Sequence, residues 1–245
     1  MIRPLPPRLT RWLLAAALLL SGAMQPVAAA GGWHVVLVAG DNAQPVFDNA
    51  VEAFGQWLAG NGVPFSDIHR LSAGRAATDP TVEWATADRI LQRIAALQPR
   101  PGQRCLVFIT SHGQHGEGVW LAPRGEYLRP DALAQALSAG CAAVPTVVIV
   151  SSCYSGAFAA GPMRAPNRIV LTAARSDRPS FGCQADRTYT VFDECLLAAL
   201  SRALRWRGVF ETSLACVRQR EAEMRVLPSE PRSFFGDRVR DLTVP

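Results

Sequence analysis

Hydrophobic positions along the chain fall into short continuous runs that alternate with segments of helical spacing. The runs at residues 106–109 and 147–150 are rich in Val and Ile, which is typical of central parallel strands covered by helices on both faces. Further strands are predicted at residues 34–39, 68–71 and 168–172. The pattern therefore predicts the strands of a buried parallel sheet.

Helical spacing occurs between and after these strands. Apolar residues recur every three or four positions over residues 47–58, 85–97, 131–137, 196–204 and 214–224. Asp131 is interpreted as a helix cap, and residues 116–123 as a flexible loop. Strands that alternate with helices predict an α/β fold, a doubly wound, mostly parallel sheet of about six strands with helices on both faces. No internal repeat or linker divides residues 31–245, so we predict one domain there.

The first thirty residues have the organisation of a secretory signal peptide. Arg3, Arg8 and Arg11 form a positive region, residues 13–20 form a short apolar core, and an Ala-x-Ala pattern ends at Ala30. We predict cleavage after Ala30 and export to the periplasm or the medium, with no membrane span after cleavage. An uncleaved signal anchor is the alternative.

The charge of the mature chain restricts the possible partners. The chain of 245 residues carries a net charge of +5. Without the arginines of the predicted signal peptide, 22 basic and 20 acidic residues remain, a net charge of +2. This excess is too small to indicate a nucleic-acid partner.

Six cysteines in an exported chain indicate disulfides. Cys105 and Cys141 each precede a predicted central strand, so they could pair at the amino edge of the sheet. The connectivity of Cys183, Cys195 and Cys216 stays open. If Cys153 is a nucleophile, at least one other thiol is free or pairs between chains.

The two central strands each end on a reactive side chain. His112 follows the strand at 106–109, and Cys153 follows the strand at 147–150. Reacting groups of open parallel sheets lie beyond the carboxyl ends of the strands, so both residues are expected at one edge. A neighbouring imidazole is the usual means of activating a thiol, and we therefore expect a Cys–His pair.

Three other kinds of site fit the sequence less well. An α/β-hydrolase places its catalytic histidine after the nucleophile, but all four histidines precede Cys153. His112, His115 and Glu117 lie in a Gly-rich loop without the spacing of metal ligands. No dinucleotide or phosphate-loop motif is present, so neither a metal nor a cofactor is predicted.

The strand-His-Gly and strand-small-Cys segments resemble the caspase-like cysteine peptidases, and most of all the legumain branch, peptidase family C13. The resemblance rests on residues 38–42, 108–113, 148–156, 171–174 and 180–183. It implies a caspase-like fold and acyl transfer from a peptide bond.

The resemblance also implies a role for each catalytic position. Cys153 would be the nucleophile and His112 the acid and base, while Asn42 would orient the imidazole. The backbone N–H groups of Gly113 and Cys153 would form the oxyanion hole.

The substrate pocket departs from the family pattern. Asp48 and Asn49 stand where legumain-type enzymes have an Arg-His pair selective for asparagine, and Ser151 replaces an acidic residue. Ser180 and Asp193 match a serine and an acidic residue of the pocket wall. We expect asparaginyl specificity to be lost and a basic or amide P1 side chain to be preferred over an acidic one.

The sequence therefore predicts an exported cysteine endopeptidase that acts on a protein or peptide through a thioester. A transpeptidase of the same family and a non-catalytic caspase-like peptide-binding module are the alternatives. The oligomeric state stays open.

Overall fold

Seven strands of the described chain form one sheet. A computed structural model of the protein describes Met1 and residues 32–245. The strands are β1 (Trp33–Ala39), β2 (Ile68–Ser72), β3 (Glu83–Trp84), β4 (Arg104–Thr110), β5 (Gly113–Gln114), β6 (Gly118–Leu121), β7 (Glu126–Leu128), β8 (Thr146–Ser151), β9 (Arg168–Thr172) and β10 (Arg232–Phe235). Their order in the large sheet is β10-β9-β8-β4-β1-β2-β3, with β10 antiparallel and the others parallel. The predicted α/β fold with a mostly parallel sheet is confirmed, with seven strands rather than about six.

Five helices within residues 32–245 cover the two faces of this sheet. They are α1 (Val46–Gly60), α2 (Ala87–Ala95), α3 (Pro130–Gly140), α4 (Val191–Leu200) and α5 (Trp206–Met224). Val35 and Leu37 of β1 belong to the core with α1, α4 and α5, whereas Val36 and Val38 belong to the core with α2 and α3. Because side chains alternate along a strand, continuous apolar strands can fill both cores at once.

The pairing register of β4 and β8 aligns the carboxyl ends of the two central strands. Their pairing runs from Cys105 opposite Thr146 to Thr110 opposite Ser151. Every residue of β8 is buried, as the continuous apolar run predicts.

The prediction of a flexible loop at residues 116–123 is wrong. This segment is part of a second sheet, in which β5, β6 and β7 pair antiparallel. Val119 and Leu121 alternate towards the core and are fully buried. The short apolar segment 119–121 is visible within the predicted loop, but two inward positions are too few to predict a strand.

Three helix boundaries differ from the predictions. Helix α4 begins before residue 196, because the Thr190 hydroxyl caps it by accepting the backbone N–H of Asp193 at 3.1 Å. Helix α5 begins at Trp206, which is fully buried. Asp131 lies in the first turn of α3 rather than at its cap, since Pro130 is already helical.

Two disulfides lie on opposite faces of the sheet. Cys105 of β4 pairs with Cys141 at the end of α3, which confirms the suggested pairing. Cys195 of α4 pairs with Cys216 of α5. Cys153 and Cys183 are free thiols.

The predicted signal peptide, residues 1–30, lies outside the described residues apart from Met1. Within residues 32–245, no helix combines the length and the apolar character that a membrane crossing requires.

Candidate active site

Strands β4 and β8 place His112 and Cys153 side by side. Each residue lies two positions beyond the last paired residues, Thr110 and Ser151, and the Ser111 N–H donates to the Ser151 carbonyl at 3.1 Å. Because alternate residues share a face, both side chains continue the face that carries α1 and α4. The structure therefore brings the two predicted reactive residues to one edge and one face.

The Cys153 sulfur lies against Ser180, another predicted site residue. The Ser180 N–H donates to Sγ at 3.3 Å, and the Ser180 hydroxyl lies 3.8 Å from it. The thiol in turn contacts the Ser180 carbonyl oxygen at 3.4 Å. Cys153 is half-buried, so the loop at Ser180 forms one wall beside an accessible sulfur.

The imidazole of His112 packs against an aromatic ring of α1. The Phe47 ring meets it edge to face, with 5.1 Å between the ring centroids. The backbone carbonyl of His112 accepts the Trp120 N–H at 2.9 Å. These contacts tie the histidine to α1 on one side and to β6 on the other.

Gly113 occupies a position that only glycine can fill. A Cβ there would lie 2.2 Å from the Cys153 carbonyl oxygen and 2.9 Å from the Ser152 hydroxyl. The loops after β4 and β8 therefore touch through backbone atoms, which keeps the two proposed oxyanion donors close together. Within residues 32–245 the Cys153 N–H has no hydrogen-bond acceptor, so it is available to a substrate oxygen.

Asn42 is not joined to His112 by a hydrogen bond. It is exposed and lies against Gly74, where a Cβ added to the glycine would stand 3.0 Å from the Asn42 Cβ. No described residue makes a hydrogen bond with the Asn42 side chain. In this structure the residue predicted to orient the imidazole thus faces the loop after β2.

Asp41, one residue earlier, is the carboxylate that reaches the histidine loop. It is buried, and it accepts the Trp120 indole N–H at 3.1 Å and the Ala43 N–H at 2.7 Å. Through Trp120 it connects to the carbonyl of His112. Sequence reasoning missed this residue, although an Asp directly beyond a central strand was a signal for it.

Asp193 and Ser151 lie beneath the His–Cys pair. Asp193 is fully buried and accepts the Thr110 hydroxyl at 2.7 Å. Burial raises the pKa of Asp193 to about 6, while the hydroxyls of Thr110, Ser151 and Thr190 oppose the rise. One carboxylate oxygen, Oδ1, has no hydrogen-bond partner among the described residues. The structure thus brings Ser151 and Asp193 together, at the floor of the site.

Asp48 and Asn49 are engaged with elements on either side. The Asp48 carboxylate accepts the Ser72 hydroxyl at 2.7 Å and lies 3.9 Å from the Arg75 guanidinium. Burial raises the pKa of Asp48, and the Ser72 hydrogen bond and Arg75 oppose that rise. The Asn49 amide donates to the Thr188 carbonyl at 3.1 Å, which joins α1 to the loop before α4.

Cys183 is a second thiol at this edge of the sheet. Burial raises the pKa of Cys183, and the nearness of the acidic groups of Cys153 and Asp41 raises it further. The three side chains therefore interact electrostatically. The sequence left the pairing of Cys183 open, and the structure leaves it free.

The described part of the chain shows no cluster of metal-ligating side chains. Residues 32–245 contain no group of three or more His, Cys, Asp and Glu side chains arranged to hold an ion.

Comparison with known proteins assigns the chain to a family. The model of the Peptidase C13 family matches residues 86–214, slightly more than half of the chain, and this segment includes His112, Cys153 and Asp193. The segment 41–49, with Asp41, Asn42 and Asp48, lies before it. A search among curated proteins found no match. The match over the segments that carry His112 and Cys153, together with the mostly parallel sheet, shows that the chain belongs to the peptidase C13 family, whose members are cysteine peptidases.

Proposed function

We propose that this protein is an exported cysteine endopeptidase that hydrolyses peptide bonds through a thioester on Cys153. The observation that carries the proposal is the placement of His112 and Cys153, each two residues beyond the paired ends of β4 and β8. The close approach of Gly113 to the Cys153 carbonyl supports it, because the two residues whose backbone N–H groups would form the oxyanion hole are in contact.

The reaction follows from these positions. His112 takes the proton of the Cys153 thiol as the sulfur attacks the substrate carbonyl carbon, and the Gly113 and Cys153 N–H groups stabilise the negative oxygen. The C–N bond breaks when His112 gives the proton to the departing amine, which leaves a thioester. Water, deprotonated by His112, then attacks the thioester, and the thiol takes the proton back as the acid product leaves.

The residue that positions His112 is also part of the proposal. Asp41 holds Trp120 and thereby the carbonyl of His112. The family resemblance assigns the orienting role to Asn42, which would have to turn from Gly74 towards the imidazole to fill it. A positioning role for Asp41 needs no such movement.

For the P1 side chain we propose a basic or amide preference instead of strict selectivity for asparagine. Asp193 supports this through the charge of its carboxylate, which lies fully buried beneath the reacting pair and would attract a basic P1 side chain without touching it. Asp48 contributes less, because Ser72 and Arg75 already engage its carboxylate. Cleavage of matched peptides with Asn, Asp, Arg or Lys at P1 tests the preference, and strict cleavage after Asn would overturn it.

Export is supported by two observations. The arginines and apolar core of residues 1–30 have the pattern of a signal peptide. The Cys105–Cys141 and Cys195–Cys216 disulfides are of the kind that persists in the periplasm or outside the cell. We expect N-terminal sequencing of the secreted or periplasmic protein to begin at Gly31.

The activity is tested with a peptide library and four proteins. We expect the wild type to cleave, the Cys153→Ala and His112→Ala variants to lose at least about 1000-fold in kcat/KM, and the matched His69→Ala variant to cleave normally. An electrophilic peptide probe should label Cys153, with the free thiol of Cys183 as the internal comparison.

Each alternative predicts a different outcome of the same assay. Ligated products in the presence of an added peptide amine would identify a transpeptidase. A protein that neither cleaves peptides nor takes up the probe at Cys153, although it labels at Cys183, would be a non-catalytic binding module.

A further inference from the structure

A pair of aromatic rings stands directly beyond the two proposed oxyanion donors. The rings of His115 and Tyr154 meet edge to face, with 5.6 Å between their centroids. His115 follows Gly113 by two residues and is exposed, and Tyr154 follows Cys153 directly and is half-buried. The pair therefore bridges the loops that carry the two catalytic side chains, and the chemistry described above does not use it.

The backbone of Tyr154 is held in an unusual conformation that presents this ring. Its φ of 57° lies in the left-handed region, which is unfavourable for a residue other than glycine. The Tyr154 N–H donates to the Arg178 carbonyl at 2.8 Å, and the hydroxyl of the next residue, Ser155, accepts the Ala174 N–H at 3.1 Å. Surrounding hydrogen bonds thus enforce a conformation that glycine would adopt without strain, yet the position carries an aromatic side chain.

The position of Ser180 suggests on which side of the sulfur a peptide would lie. Its N–H contacts the Cys153 sulfur at 3.3 Å, so the proposed P1 side chain lies on the Ser180 side. At a planar carbonyl carbon the departing amine points away from the P1 residue. The ring pair joins the loops of Gly113 and Cys153 and is therefore our candidate for the leaving-group side.

The two rings form an apolar part of this surface, and edge-to-face contact favours an aromatic or large apolar side chain. The nearby Glu117 carboxylate is paired with the Arg129 guanidinium at 3.3 Å. Arg178 shares the Glu230 carboxylate with Arg175 and Arg232.

We propose that His115 and Tyr154 form the subsite for the residue that follows the scissile bond, P1′, and that this subsite prefers an aromatic or large apolar side chain. The inference rests on the proposed peptidase function and adds to it the substrate class on the leaving-group side.

The test compares peptides that differ only at P1′. With the residues before the scissile bond fixed at the best sequence from the library, the ratio of kcat/KM for Phe over Asp at P1′ is measured for each protein. This ratio cancels any loss of folded or active enzyme in a variant. We expect the wild type to favour Phe, and His115→Ala and Tyr154→Asn to lower the ratio about three- to tenfold, as the loss of one aromatic contact implies.

Asn is chosen because it tolerates the left-handed conformation while removing the ring. Two further variants serve as controls, Tyr154→Phe, which keeps the ring, and His69→Ala, which lies in β2; both should keep the wild-type ratio. Cleavage with no preference for Phe, or with a ratio unmoved by both ring-removing variants, overturns the subsite alone. Failure of the wild type to cleave any peptide of the library overturns the peptidase function and the subsite with it.

Discussion

The β4–β8 edge and the loop that follows β1 both carry predicted site residues, but different forces hold their side chains. His112 and Cys153 follow from strand register, because Thr110 and Ser151 are buried residues that pair at the ends of the two central strands. Asn42 stands on a loop with no such constraint and lies against Gly74. The comparison teaches that residues one or two positions beyond paired strands can be placed from the sequence. The orientation of a loop side chain depends instead on which nearby groups it can form hydrogen bonds with.

Gly113→Ala changes the contact between the loops that follow β4 and β8, and we expect it to lower activity more than any other substitution below. The new methyl group would collide with the Cys153 carbonyl, 2.2 Å away, and push the two loops apart. Loss of the oxyanion geometry should lower kcat/KM about 100- to 1000-fold. Gly60→Ala is the matched control, since a Cβ there meets nothing within 4 Å. An active Gly113→Ala enzyme would show that the contact between the loops is unimportant.

Asp193→Asn tests the protonation of the buried carboxylate beneath His112 and Cys153, and the readout is the pH dependence of the free energy of unfolding. The folded-state pKa of about 6 lies above the ordinary value of 3.8, so the folded protein binds the proton more tightly than the unfolded chain. Stability therefore falls as pH rises between about 4 and 6, by about 3 kcal/mol in total. The variant should lack this decline in urea unfolding from pH 4 to 8. Identical pH profiles for the two proteins would mean that Asp193 titrates normally.

Asp41→Ala and Asn42→Ala compare the two candidates for positioning His112. Removal of the Asp41 carboxylate frees the Trp120 indole and loosens the loop behind His112, so we expect about a tenfold loss of kcat. Asn42→Ala removes a side chain without a hydrogen bond in the described structure, and its loss should be smaller.

Trp120→Phe supplies the control for that pair, because it removes the indole donor while it keeps an aromatic ring at the position. It should reproduce the Asp41→Ala effect on kcat with little change in KM. A larger kcat loss in Asn42→Ala than in Asp41→Ala would assign the orienting role to Asn42.

Asp48→Asn should have the smallest effect on catalysis. The carboxylate faces Ser72 and Arg75, so the ratio of kcat/KM for Arg over Asn at P1 should change less than about threefold. Ser72→Ala, which removes the same hydrogen bond from the other side, is the partner variant. A large drop in Arg cleavage for Asp48→Asn alone would place Asp48 in the pocket.

The strands of the sheet and the placement of the reacting pair could be predicted because burial on both faces leaves a strong signal. The predicted strand at residues 168–172 has the same bounds as β9, and the runs before His112 and Cys153 lie within two residues of the ends of β4 and β8. The antiparallel edge strand β10 and the short strand β3 carry no such run, so the sequence does not locate them.

The parts that could not be predicted depend on contacts between distant segments. Thr190 starts α4 earlier than its apolar spacing suggests, because its hydroxyl finds the Asp193 N–H. Asp41 gains its role only when β6 brings Trp120 next to it, 79 positions along the chain. No local pattern encodes such a pairing.

The distribution of the cysteines has a practical consequence for handling the enzyme. Cys105 and Cys141 are both buried and Cys195 is buried beside a half-buried Cys216, whereas Cys153 is a half-buried free thiol. A mild thiol reductant therefore reaches an oxidised Cys153 before it reaches the Cys105–Cys141 bridge, and it restores the nucleophile without unfolding the chain. At higher reductant concentration or in denaturant the bridges open as well. Activity plotted against reductant concentration should therefore rise, level off and then fall.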